Sequence, residues 1–130
     1  MGDVFYKDVA TIWNKTTTGG WEEETWFPTV VENVRIQDSR GLNIQKSGNE
    51  QSDKVRLHIS DDLSTPDKPY AKPEEWVPGE TYTLNGESYF SIGDMSEMEP
   101  DKRFFERSDV FRISNVDRFD LIPHFEVWGK

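Results

Sequence analysis

The feature that most constrains this chain is a two-residue alternation of apolar and polar side chains, repeated in segments too short for helices. Val55, Leu57 and Ile59 fall on one side of an extended backbone and Arg56 and His58 on the other, the pattern of a half-buried strand. Val9, Thr11 and Trp13 alternate in the same way with Ala10, Ile12 and Asn14, and this strand stops at Thr16-Thr17-Thr18-Gly19-Gly20. The stretch from Trp26 to Ile36 is β-branched and aromatic, and Pro28 within it predicts an edge or a bulge. In Thr81 to Phe90, Asn85-Gly86 predicts a type I′ turn and a hairpin that pairs Tyr82 with Tyr89. Val110 to Val116 and Phe125 to Trp128 bring the total to about seven strands. Helix signals are few. Lys72-Pro73-Glu74-Glu75-Trp76 reads as one short turn ended by Pro78-Gly79, whereas Glu99 to Glu106 is too charged, and too interrupted by Pro100, to predict a helix. The expectation is an all-β fold, a small antiparallel β-barrel or sandwich with long loops and at most one short helix.

A length of 130 residues makes this a single β-rich domain spanning 1–130. Only 34% of residues are hydrophobic, but 13% are aromatic, and large rings compensate by the area each one buries. Two polar stretches, Gln37 to Lys54 and Ser60 to Lys72, are long for connections within a compact domain, and they are expected to order against a neighbouring subunit. In the first of them Gln37, Asp38, Arg40, Asn43 and Lys46 are the candidate subunit-contact residues. Cysteine is absent, which removes disulfides and thiolate chemistry and fits a reducing cytoplasm. No apolar run approaches the roughly 18 residues of a membrane helix, and Met1-Gly2-Asp3-Val4 lacks the basic and apolar regions of a signal peptide.

The formal charge is −10, from 25 acidic against 15 basic residues. Such a field repels phosphate backbones and anionic membranes, although it also serves plain solubility. The acids cluster as Glu22-Glu23-Glu24, Asp61-Asp62 and the set Asp94, Glu97, Glu99 and Asp101. Acid–base catalysis needs two carboxyls whose surroundings drive their pKa values apart, and these lie in polar stretches with no sign of an apolar pocket. The set from Asp94 to Asp101 also lacks the ligand ladder of a calcium loop. His58 and His124 have no partner at metal-ligand spacing, and two histidines without cysteine make a poor transition-metal set. Ordinary surface or hydrogen-bonded roles are expected for both. Nucleophile elbows and phosphate-binding glycine loops are missing from the sequence. Lys102-Arg103 followed by Phe104-Phe105 has the cation-plus-ring composition of single-strand binders, but the preceding acids favour core packing there. The expectation is a non-enzymatic protein with no cofactor and no metal.

The opening Asp8-Val9-Ala10-Thr11-Ile12-Trp13-Asn14-Lys15 resembles the start of small virion proteins of tailed phages that infect Gram-positive bacteria. Val55-Arg56-Leu57-His58-Ile59, Pro73-Glu74-Glu75-Trp76, Asp109-Val110-Phe111-Arg112-Ile113 and the ending His124-Phe125-Glu126-Val127-Trp128-Gly129-Lys130 resemble theirs as well. The resemblance implies a head–tail joining component of the phage neck, a connector or stopper. It would form a hexameric or dodecameric ring in the virion, against portal or adaptor and tail proteins, with the genome passing nearby unbound. Asp94, Glu97, Glu99 and Asp101 are then the candidate channel-facing acids, because an acidic lining repels DNA instead of holding it. Tail terminator and minor capsid protein are alternatives of the same kind. From a different class, a carbohydrate-binding β-sandwich would use rings such as Trp21 and Trp26 to stack on sugars.

Overall fold

The structure, a computed structural model, describes residues 6–18, 23–38 and 55–130. Among the described residues there are seven strands: β1 (Asp8–Thr18), β2 (Glu23–Asp38), β3 (Val55–Ser60), β4 (Thr65–Pro66), β5 (Tyr89–Ile92), β6 (Val110–Phe119) and β7 (His124–Gly129). Six of them close into an antiparallel barrel in the order β1-β5-β6-β7-β3-β2, and β2 returns to pair with β1. The short β4 adds outside the ring, against Val31 and Glu32 of β2. The expected all-β architecture therefore takes the barrel form.

Closure depends on two long strands that change partners along their length. β2 pairs with β1 from Glu23 to Val34, its first three-quarters, and with β3 from Arg35 onward. At the change, Asp8 faces Val34 and Val9 faces Glu32, so Asn33 is an extra residue in the ladder. Its φ of 59° is left-handed, a conformation that asparagine tolerates better than most residues. β6 pairs with β5 up to Arg112 and with β7 from Ile113, and Ser114 is the extra residue just after the change. Each bulge bends its strand, and the bend carries one side of the barrel into the other. Pro28 sits opposite Trp13 on a part of β2 that has no strand on its other side, as the sequence suggested.

Inward positions follow the alternation. Ala10 and Ile12, Val31 and Val34, Val55, Leu57 and Ile59, Phe90, Phe111 and Ile113, and Phe125 and Val127 fill the interior. The Phe90 and Phe111 rings meet across the β5–β6 pair at 5.4 Å. Gly129 approaches them closely. A Cβ at that position would lie 2.7 Å from the Phe111 Cβ and 2.8 Å from a Phe90 ring carbon, so only glycine fits.

A second apolar cluster lies outside the barrel wall. Trp13, turned out from β1, packs with Phe104 and Val110 and against Trp26, Tyr89, Met95 and Phe105. The helix α1 (Lys102–Phe105) supplies the two phenylalanines. The sequence reading rejected a helix here because of Pro100. Pro100 precedes the N-cap, however, and Asp101 begins the turn by accepting a hydrogen bond from the Phe104 N–H at 2.9 Å. Phe104-Phe105 is thus core packing, as expected.

The predicted Tyr82–Tyr89 hairpin does not form. Thr81 to Leu84 is not a strand, Tyr82 bridges in parallel to Tyr70, and Gly86 has no positive φ. The Asn14 side chain takes over the pairing. Its Nδ2 donates to the Thr83 carbonyl at 2.8 Å and to Ser88 Oγ at 2.8 Å, while its Oδ1 accepts from the Thr83 N–H at 3.1 Å. This buried amide imitates a neighbouring strand and holds the segment against β1. Asn85 accepts from the Glu87 N–H and the Ser88 hydroxyl, which shapes an ordinary turn. The stretch Lys72–Trp76 forms one 3-10 turn, Pro73–Glu75. No helix among the described residues is long and apolar enough to cross a membrane.

Two substitutions test this packing. Gly129→Ala should destabilise the protein by roughly 1–3 kcal/mol through overpacking, read from the shift of its urea midpoint. Asn14→Ala should cost about 1–3 kcal/mol for each Thr83 backbone group left unpaired, and amide exchange at Thr83 should accelerate ahead of the barrel strands.

Candidate functional site

The outer surface of β3 and β7 gathers the only two histidines of the chain. His58 lies directly opposite Glu126 in the β3–β7 ladder, and His124 precedes Glu126 by two residues on the same face. The two imidazoles stack at 6.2 Å, and Phe119, opposite His124 in β6, stacks on the other side of it at 4.8 Å. His58 is buried although it points away from the barrel interior, and it is hydrogen-bonded there.

Hydrogen bonds orient both rings. His58 Nε2 lies 2.7 Å from Gln37 Oε1, which can only accept, so this nitrogen carries the proton. Its Nδ1 then faces Glu126 Oε2 at 3.8 Å. His124 Nδ1 lies 2.6 Å from the Ile122 carbonyl and must donate to it, which turns Nε2 toward the same Glu126 oxygen at 3.1 Å. Burial pushes the His58 imidazole down; Glu126 opposes this, and Arg35, Arg56 and His124 reinforce it. Neutral His58 is favoured. Arg56 reaches Glu126 Oε1 at 3.9 Å and lies over the Trp128 ring at 3.8 Å.

Around the rim from this cluster, a cleft of about 630 Å³ opens between the barrel and the segment that carries β4. Ile59, Pro66, Tyr70, Tyr82 and Phe125 form its apolar wall, and Tyr70 packs against Phe125 at 4.8 Å and Tyr82 at 5.6 Å. Burial pushes the Tyr82 phenol well up, so it stays protonated. At the mouth, Arg118 binds Asp61 through two bonds of 2.8 and 2.7 Å and covers the Phe125 ring. The hydrogen bond from Arg118 holds the Asp61 carboxyl below its usual range.

The β6–β7 turn, residues 120–123, projects between the cluster and the cleft. Leu121 is 95% exposed and Ile122 74%, with Phe119 partly exposed at its base. The turn is anchored from both sides, by the bond from His124 to Ile122 and by the Asp61 N–H donating to the Pro123 carbonyl at 3.1 Å.

The residues singled out in the sequence fare differently. Asp94 accepts from the Ser96 backbone N–H and hydroxyl, which lowers its carboxyl, and Asp101 caps α1, so both serve local turns. Glu97 and Glu99 are exposed on the same stretch. Gln37 and Asp38 are the last residues of β2, not of a loop, while Arg40, Asn43 and Lys46 lie outside the described residues. The stretch after Ser60 has bonds within the chain: Ser60 Oγ accepts from the Asp62 and Leu63 N–H groups, and Ser64 Oγ donates to the Asn33 carbonyl. Trp26 packs on Phe105 at 4.4 Å and Tyr89 at 5.7 Å, so it is no free sugar platform, and Trp21 lies outside the described residues. Sequence spacing missed the histidine pair because β3 and β7 are far apart in the chain. The signal that could have found it is the shared alternation of His58 with His124 and Glu126 on outward positions.

Arg118→Gln tests the ion pair at the cleft mouth. A carboxyl held low contributes stability above its ordinary value, and the contribution is lost as pH falls through the lowered one. The pair is exposed, so the variant should lose at most about 1 kcal/mol at pH 7. The difference from the wild type should shrink as pH falls below the ordinary carboxylate range, and urea unfolding at neutral and at acid pH measures it.

No curated protein and no solved structure matches the chain. A family model does match, over residues 5–130, nearly the whole length. The chain therefore belongs to DUF6751, a family of unknown function.

Proposed function

We propose that this protein is a non-catalytic assembly subunit that docks on its neighbours through the β6–β7 turn, and that its setting is the head–tail joint of a tailed-phage virion. The observation that carries the assembly role is the pair Leu121 and Ile122, 95% and 74% exposed on an anchored turn. Leaving two large aliphatic side chains in water forfeits roughly 1.5–3 kcal/mol of burial for each of them. A turn held on both sides presents them at little cost in ordering when a partner covers them.

The virion setting rests on the sequence resemblance, and the barrel suits it. A ring of subunits needs protomers without open sheet edges, which would otherwise pair indiscriminately. Here each of the six barrel strands has a strand on both sides over part of its length, although β2 before Val31 is paired only with β1 and the two-residue β4 only with β2. In a ring of six or twelve copies, Glu97 and Glu99 are the members of the acidic stretch available to a channel lining, since Asp94 and Asp101 hold local turns. The cleft favours binding over acid–base chemistry, because its one carboxylate, Asp61, is tied to Arg118.

The test is a double variant, Leu121→Asp with Ile122→Asp, supplied in place of the wild-type protein during particle assembly. As exposed substitutions they should change stability by no more than about 0.5 kcal/mol, yet incorporation into particles should fall at least tenfold. Electron microscopy of wild-type particles should find the protein in six or twelve copies at the joint. Normal incorporation of the variant, or no copies at the joint, would overturn the proposal.

A further inference from the structure

The geometry points to a transition-metal site at His58, His124 and Glu126, of the two-histidine, one-carboxylate type that takes zinc, with a fourth position left to water or a ligand. It is independent of the assembly role. One potential ligand atom from each of the three residues lies within 4.8 Å of the other two. Zinc holds nitrogen and oxygen ligands at about 2.0–2.1 Å in a tetrahedron, which sets them roughly 3.3 Å apart. His124 Nε2 and Glu126 Oε2 are already 3.1 Å apart, and His58 Nδ1 needs only a small movement from 3.8 Å.

The outer hydrogen bonds argue more strongly than proximity does. Histidines that bind metal usually donate their other N–H to a carbonyl or carboxylate, which fixes the tautomer and aims the bare nitrogen inward. Both histidines have this arrangement, His58 through Gln37 Oε1 and His124 through the Ile122 carbonyl. In each case the second ring nitrogen turns to the same carboxylate oxygen, which it can meet only through a proton or a bound cation. Two lone pairs converging on an anionic oxygen repel unless a cation lies among them. A proton on one imidazole relieves a single contact, whereas a metal ion satisfies all three atoms together.

Imidazole donors select zinc and its neighbours over magnesium or calcium, which prefer oxygen alone. Arg35 and Arg56, the nearby cations, weaken the site without blocking it, since Arg56 approaches the other Glu126 oxygen and stacks on Trp128. His124 also holds the Ile122 carbonyl, so an occupied site stiffens the base of the 120–123 turn.

The test uses full-length protein, stripped with chelator and titrated with zinc chloride at pH 7.5 by calorimetry. The expected result is one zinc per chain with a dissociation constant on the order of 10 μM or lower, as three aimed ligands allow. Glu126→Gln and His124→Asn should each weaken binding at least tenfold, and Gln37→Leu, which touches no ligand atom, by about 10–100-fold. Nitrogen-detected imidazole spectra of the wild type provide a readout that needs no variant: zinc should shift His58 Nδ1 and His124 Nε2, while their partner nitrogens keep their protons. Absence of zinc binding at 100-fold excess, or binding that leaves both imidazoles unshifted, would overturn the assignment and leave a proton-bridged His124–Glu126 pair.

Discussion

Every other feature of the molecule depends on β1 being paired along both of its edges. From Ala10 to Trp13 it bonds to β2 on one side and to β5 on the other, and this double ladder turns a six-strand sheet into a barrel. Closure gives each strand one sealed face and one outer face. It also makes room for residues such as Asn14 and Thr11 to be buried, since each meets backbone groups of a segment that passes over the wall. Thr11 Oγ1 donates to the Gly93 carbonyl at 2.8 Å and accepts from the Met95 N–H at 2.9 Å. Gly93, with a φ of 89°, turns the chain there in a conformation that a side chain would strain. Buried polar groups with full sets of partners fix the loops that leave the barrel.

The outer faces have separate uses. On one, Trp13, Trp26 and Tyr89 are covered by the phenylalanines of α1, which gives the small chain a second apolar layer that its 34% hydrophobic content would not suggest. On the other, the β3–β7 ladder sets His58 opposite Glu126 and puts His124 beside them. The turn that follows β6 belongs to this second face and carries Leu121 and Ile122 into solvent. The proposed docking turn and the proposed metal site thus share one region of the surface, joined through the His124 to Ile122 hydrogen bond.

Much of the fold was legible in the sequence, and its failures have physical causes. Alternation found β1, β3 and β7 because each buries one face fully, so Val55, Leu57 and Ile59 had no other arrangement open to them. The bulges at Asn33 and Ser114 left no clear mark, since a single extra residue only shifts the phase of an alternation. The Asn85-Gly86 signal was real as a turn, but Asn14, about seventy residues earlier, decided that Thr83 would bond to a side chain instead of a strand. The short α1 was hidden because its stability comes from the Asp101 cap and from burial of Phe104, not from helical periodicity. The candidate site was the least legible part. Its three residues come from two strands joined only by register, and the exposed turn at Leu121 looks in sequence like any apolar pair.

Double pairing of β1 closes the barrel and so brings β3, β7 and the second half of β6 onto one face. Native-state amide exchange followed residue by residue tests it most directly. In a closed barrel successive amides of β1 point alternately to β2 and to β5, so Ala10, Thr11, Ile12 and Trp13 should all exchange slowly, at rates set by global unfolding. Fast exchange at every second one of these four amides would mean that β1 is the edge of an open sheet, and would contradict the account.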